Sequence, residues 1–136
     1  MKVKLDYNAY PPERAYATDA GLDLRSTIST RVPAFGSAEI DTGVHIELPE
    51  GTVGMLKSKS GLNVKYGITS EGVIDVGYTG SILVKLYNHT AKDYYINKGD
   101  KISQLVILPM LSPTIEIVEY LEETERGENG FGSTGV

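Results

Sequence analysis

Residues 126 to 135 combine the groups that grip phosphate with one aromatic ring. Gly127, Gly130, Gly132 and Gly135 let the main chain come close to an anion and turn its N–H groups inward. Arg126 adds fixed charge, and Ser133 and Thr134 add hydroxyl donors. Phe131 can cover a base, so the segment suits a nucleotide, whereas a merely disordered glycine-rich tail would need none of these groups in this order. A second cluster runs from Gly72 to Gly80, where Asp75 and Tyr78 place a carboxylate and a ring on a tight, glycine-bounded hairpin. A third is Ser60-Gly61-Leu62, which reads as the start of a helical turn capped by Ser60, with an anion-attracting N-terminus.

Composition limits what such groups can serve. The chain has 136 residues, no cysteine and a formal net charge of −5. That length makes one domain with a sizeable core. The acidic balance argues against a general nucleic-acid binder, because neutralising a phosphate backbone needs a basic face, whereas one small anion needs only a local basic site. Without cysteine there is no disulfide, thiolate nucleophile or zinc–sulfur centre. No apolar run has signal or membrane-span length, and the expectation is a soluble cytoplasmic protein with neither nucleic acid nor membrane as partner.

The elements that must hold these groups are strands. From Ala38, the positions Ala38, Ile40, Thr42, Val44, Ile46 and Leu48 alternate with Glu39, Asp41, His45 and Glu47, as in one half-buried strand. Val3, Leu5 and Tyr7 repeat the pattern, as do Ile82, Val84 and Leu86. Ile102 to Leu108 is apolar on both faces and reads as a central strand. Turn signals lie between the runs at Pro33 to Gly36, Pro49 to Gly51 and Asn97 to Asp100. The expected fold is all-β, a barrel or jelly-roll-like sandwich, with one short helix over residues 60 to 66. Residues 1 to 125 would form the single domain and 126 to 136 a flexible arm closing over the site. Glu116, Glu119, Glu122, Glu123 and Glu125 read as a solvated strand edge and spacer rather than a metal cluster.

Five segments stand in order: Asp19 to Leu24, Lys59 to Leu62, Gly72 to Gly80, Gly99 to Leu105 and the C-terminal arm. Together they resemble the five motifs of the trimeric deoxyuridine triphosphatases from about Ala17 onward. The resemblance implies hydrolysis of dUTP to dUMP and pyrophosphate, which keeps uracil out of DNA and supplies dUMP for thymidylate synthesis. By it, Asp75 is the general base for the attacking water, and Asp23 holds Mg²⁺ through a water. Lys59, Ser60, Gly61 and Gln104 contact phosphates. Tyr78 packs under the deoxyribose, while the main chain at Gly72 and Ile74 reads uracil. Phe131 stacks on the base, and Arg126, Gly132, Ser133 and Thr134 hold the γ-phosphate. It also implies a homotrimer with shared active sites.

Two positions depart from the family pattern. Lys59 stands where arginine is usual and loses the bidentate fork, so Lys57 on the same strand could share its task. Asn129 replaces a commoner glycine, which suits Asn's tolerance of left-handed dihedrals. An alternative reading is a dCTP deaminase-like enzyme of the same fold, but its glutamate position holds Lys85. Another is a nucleotide-sensing regulatory protein that keeps the pocket.

Overall fold

The computed structural model describes residues 1–135 as ten strands and one short helix. The strands are β1 (Lys2–Leu5), β2 (Gly21–Arg25), β3 (Thr30–Val32), β4 (Ser37–Asp41) and β5 (Val44–Glu47), then β6 (Thr52–Lys57). The helix α1 (Ser60–Tyr66) follows, and β7 (Ile68–Ile74), β8 (Leu83–Asn88), β9 (Tyr94–Ile96) and β10 (Lys101–Pro109) complete the chain. Six strands form one antiparallel sheet in the order β2-β10-β6-β7-β8-β4, and β1-β5 and β3-β9 form two small sheets. The all-β fold with a single short helix is the expected one.

One core joins the sheets. Leu24, Ile40, Val44, Ile68, Val84, Leu86, Ile96, Ile102 and Leu105 are all buried in it. The alternation from Ala38 to Leu48 holds, with Ile40, Thr42, Val44, Ile46 and Leu48 buried, but it belongs to two strands and not one. The chain breaks at Gly43, whose φ of 65° lies in the left-handed region. There β4 leaves the large sheet and β5 pairs with β1. Alternation survives because side chains keep facing one core while the hydrogen-bonding partner changes.

β10 is central, as its two-sided apolar run predicts, lying between β2 and β6. Its C-terminal end and the segment after it are not covered by this chain. Regular structure ends at Pro109, and Leu111, Ile115, Ile117 and Leu121 are exposed, Ile117 by 95%. The glutamates from Glu116 to Glu125 therefore lie on an extended segment without strand pairing, and not on a strand edge. Val3, Leu5 and Tyr7 are likewise exposed.

Candidate active site

The hairpin between β7 and β8 opens a cleft because its strands part. β7 stays paired to β6 through Ile74, but its pairing to β8 stops at Ser70 opposite Leu86. The start of β8 is drawn away: Thr42 N–H donates to the Ile82 carbonyl at 3.0 Å and Ile82 N–H to the Val44 carbonyl at 2.9 Å. A main-chain edge over Gly72 to Ile74 is thereby left facing a cleft of about 250 Å³ lined by Val73, Asp75, Tyr78, Ser81 and Leu83. Gly72 fits because a Cβ there would stand 3.1 Å from Leu56 Cδ1. The turn is closed by Tyr78 N–H donating to the Asp75 carbonyl at 3.1 Å, and the Tyr78 hydroxyl donates to the Ser81 carbonyl at 3.0 Å. Asp75 is exposed at its tip.

A second group forms across β2, β10 and β6. Gln104 pairs in register with Asp23 on one side and Lys57 on the other. Asp23 is only 5% exposed, and its carboxylate accepts from Lys59 and, at 2.7 Å, from Lys101. Burial pushes this carboxyl up, but the hydrogen bonds from Lys101 and Lys59 and their charges outweigh it and hold the pKa below the ordinary value. Gln104 Nε2 donates to the Ser58 carbonyl at 3.0 Å. Lys57 is held by Glu71 at 2.9 Å, so the spare lysine beside Lys59 already has a partner.

Ser60 and Gly61 open α1 on the same side. Ser60 is the first helical residue and not the cap: Lys59 occupies the cap position in an extended conformation, and no side chain caps the helix. Both residues are exposed, with open space around the Gly61 Cα. What fixes this loop is a serine network that the sequence did not announce. Ser58 Oγ accepts from Ser70 N–H at 2.9 Å, and the buried Ser70 and Ser103 hydroxyls meet at 2.7 Å. Ser103 Oγ also donates to the Lys57 carbonyl at 3.1 Å. The polar residue within the apolar run of β10 was the available signal for it.

These two groups do not meet within one chain. Asp23 and Glu71 lie on one row of the sheet, three strands apart, and Asp75 is four residues beyond Glu71, just past the end of β7. At strand spacings of about 4.8 Å and a rise of about 3.3 Å, that places Asp75 on the order of 15–20 Å from Asp23. Arg126, Phe131, Gly132, Ser133 and Thr134 are exposed and form a third group. Among the described residues no hydrogen bond joins residues 111 to 135 to the rest of the chain. The arm bonds to itself, with Arg126 Nε donating to the Asn129 carbonyl at 2.9 Å and Ser133 N–H to the Gly130 carbonyl at 3.1 Å.

A larger cleft, of about 900 Å³, lies between the end of α1 and residues Thr90 to Tyr95. Its one carboxylate, Asp93, is already bound by Arg31 and by the Ala34 N–H. The hairpin cleft has both a free strand edge and an exposed carboxylate, which makes it the better candidate. Among the described residues no cluster of three or more His, Asp or Glu could hold a metal, and no helix is long and apolar enough to cross a membrane.

Known proteins match over nearly the whole chain. The family model for dUTPase matches residues 8–135. A deoxyuridine 5'-triphosphate nucleotidohydrolase from Solanum lycopersicum is 44% identical over 98% of this chain and 79% of its own length. The one from Paramecium bursaria Chlorella virus 1 is 44% identical over 98% of this chain and 95% of its own. Among solved structures, a Staphylococcus bacteriophage 80alpha dUTPase with dUpNHpp is similar at a TM-score of 0.92 and 36% identity, covering 99% of this chain and 98% of that one. A mutant dUTPase from phage phi11 of S. aureus, described for the coordination of a structural Mg(II) ion, is similar at a TM-score of 0.82 and 33% identity, over 90% of this chain and 98% of its own. With the five segments in order on an all-β frame and relatives of this identity along its length, the chain belongs to the dUTPase family.

Proposed function

We propose that the protein hydrolyses dUTP to dUMP and pyrophosphate, and that the parted β7–β8 hairpin is where the nucleoside sits. The observation that carries this is the unpaired main-chain edge at Gly72 to Ile74 with Asp75 and Tyr78 beside it. Main-chain donors and acceptors at Gly72 and Ile74 match uracil and mismatch cytosine, and a narrow cleft leaves no space for the thymine methyl. Tyr78 lies under the deoxyribose and leaves no room for a 2′-hydroxyl. Asp75 takes a proton from a water whose oxygen attacks the α-phosphorus. The bond from that phosphorus to the α,β-bridging oxygen breaks and pyrophosphate leaves.

Lys59, Ser60, Gly61 and Gln104 serve the phosphates. Asp23 is an ionised oxygen donor, and one such carboxylate suffices for a Mg²⁺ ion that keeps most of its water and takes other oxygens from a triphosphate. Such an ion would be held by Asp23 through water and would supply charge neutralisation on the phosphates. Lys59 and Lys101 both pair with Asp23, and on its engagement with such an ion they would be free to pair with phosphate oxygens instead. The arm, residues 126 to 136, closes over the bound nucleotide, Phe131 on uracil and Arg126, Gly132, Ser133 and Thr134 on the γ-phosphate; Val136 lies outside the described residues.

The three groups stand apart in one chain, which supports a site shared between subunits. A homotrimer in which Asp23, Ser60 and Gln104 come from one subunit, Asp75 and Tyr78 from a second and the arm from a third brings them together. The exposed strip Leu111, Ile115, Ile117 and Leu121 supports it, since an isolated chain gains nothing from such a surface. The test is to incubate the purified protein with dUTP and Mg²⁺ and to measure pyrophosphate. Tight dUTP binding without pyrophosphate would replace the enzyme by a nucleotide sensor, and deaminated product from dCTP would replace it by a deaminase.

A further inference from the structure

The turn that carries Asp75 and Tyr78 makes few bonds of its own, so its place is set from outside. The corner between β4 and β5 supplies the hold. Asp41 accepts from the Ser81 hydroxyl, and the Thr42 N–H and hydroxyl both donate to the Ile82 carbonyl, at 3.0 and 2.7 Å. Those contacts fix the root of β8. The turn itself is held by His45, whose Nδ1 lies 2.8 Å from the Thr79 carbonyl, one residue beyond Tyr78. On its other side, Nε2 lies 3.2 Å from each oxygen of Asp6. A carbonyl and a carboxylate only accept, so both contacts together need a proton on each ring nitrogen.

We propose that His45, as an imidazolium, is a positioning residue for the nucleotide hairpin, tying the Thr79 carbonyl to Asp6 so that Tyr78 and the cleft hold the shape that receives base and sugar. The inference rests on reading this cleft as the dUTP site. Around the ring stand Asp6, Lys4 opposite it in register on β1, the Lys2–Glu47 pair and Asp41 on β4. The Thr79 carbonyl and then Asp6 favour the charged ring, desolvation and Lys4 oppose it, and the balance keeps His45 protonated to higher pH than a free imidazole. A raised pKa means that the clasp is complete below the ordinary histidine value and is lost as pH rises through the raised one. A neutral ring keeps one contact of the two. Either the Thr79 carbonyl is then released, or the ring loses its anchor on Asp6.

The test compares wild type, His45→Asn and His45→Ala by steady-state dUTP hydrolysis from about pH 6 to about pH 9, with imidazole NMR of the wild type alone and with dUpNHpp. Asparagine can place its amide nitrogen where Nδ1 stands but carries no charge. His45→Ala is expected to raise KM about tenfold with kcat within about threefold, and His45→Asn to recover only part of that KM at low pH, staying about threefold above wild type. The ratio of His45→Asn to wild-type KM, from which substrate ionisation cancels, should fall toward one as pH rises. The His45 resonance, assigned by its loss in the variants, should titrate at higher pH with dUpNHpp bound, because a proton that favours the bound hairpin is favoured by it in return. A His45 titration unmoved by dUpNHpp, or a wild-type KM in His45→Ala, overturns the proposal while leaving wild-type dUTP hydrolysis intact. Should His45→Ala not fold, the NMR shift and His45→Asn decide alone; a wild type inert on dUTP removes the parent reading itself.

Discussion

Asp75 is exposed at the tip of its turn between the buried Ile74 and the partly buried Val76, which packs against the core, so its carboxylate can be changed without disturbing that packing. Asp75→Asn should leave the melting temperature and dUTP affinity nearly unchanged and lower kcat by roughly a hundredfold to ten-thousandfold, measured as pyrophosphate release; full turnover would remove Asp75 from the chemistry. Asp23 is different, being buried between two lysines. Its pKa lies below the usual 3.8, so its contribution to stability is present above the unfolded-state pKa and is lost as pH falls through the lower folded value. Asp23→Asn is therefore expected to melt below wild type near pH 7, with the gap closing toward about pH 3. A gap that does not shrink would mean that packing, and not charge, matters at this site. The turn that carries Asp75 and Tyr78 was legible because glycines on either side announce a tight hairpin. Lys101, Ser58, Ser70, Ser103 and His45 were not, since each acts through a partner 12 or more residues distant that only the strand register reveals.

At the level of elements, alternation identified β1, β4, β5 and β8, and a two-sided apolar run identified β10, but β2, β3, β6, β7 and β9 went unread and so did the change of sheet at Gly43. A side-chain pattern records which residues face the core and not which strands exchange hydrogen bonds. The helix cap falls one residue before Ser60 for a similar reason: Lys59 enters the cap position because β6 delivers it extended, at φ −70° and ψ 128°. The arm is the element whose composition carried most. Lacking hydrogen bonds to the β domain among the described residues, it should be removable: deleting residues 127 to 136 is expected to abolish most dUTP hydrolysis and to leave the melting temperature within a few degrees of wild type, by about the margin expected for a segment outside the core. A large fall in melting temperature would instead make the arm part of the fold. Phe131→Ala should lower activity in the same direction and by less, since the phosphate-binding groups of the arm remain.

For the whole molecule, the proposed site draws on three groups of residues that the sheet register sets apart in one chain, and the shared-site trimer is the proposal that brings them together. A lone subunit leaves Asp75 on the order of 15–20 Å from Asp23 by strand spacing, with the arm bonded to neither. In a cyclic trimer with shared sites, two inactive variants should rescue each other, since an Asp75→Asn chain still supplies an arm and an arm-deleted chain still supplies Asp75. Random equal mixing then gives both intact groups to about a quarter of all sites, and about a third of the sites in any mixed trimer, because each site draws base and arm from different subunits around one direction of the ring. Co-expression with different tags, purification through both and assay with dUTP reads this number directly. Verified mixed trimers without activity would place base and arm on the same chain, and the exposed apolar strip from Leu111 to Leu121 would then need a partner other than this arrangement.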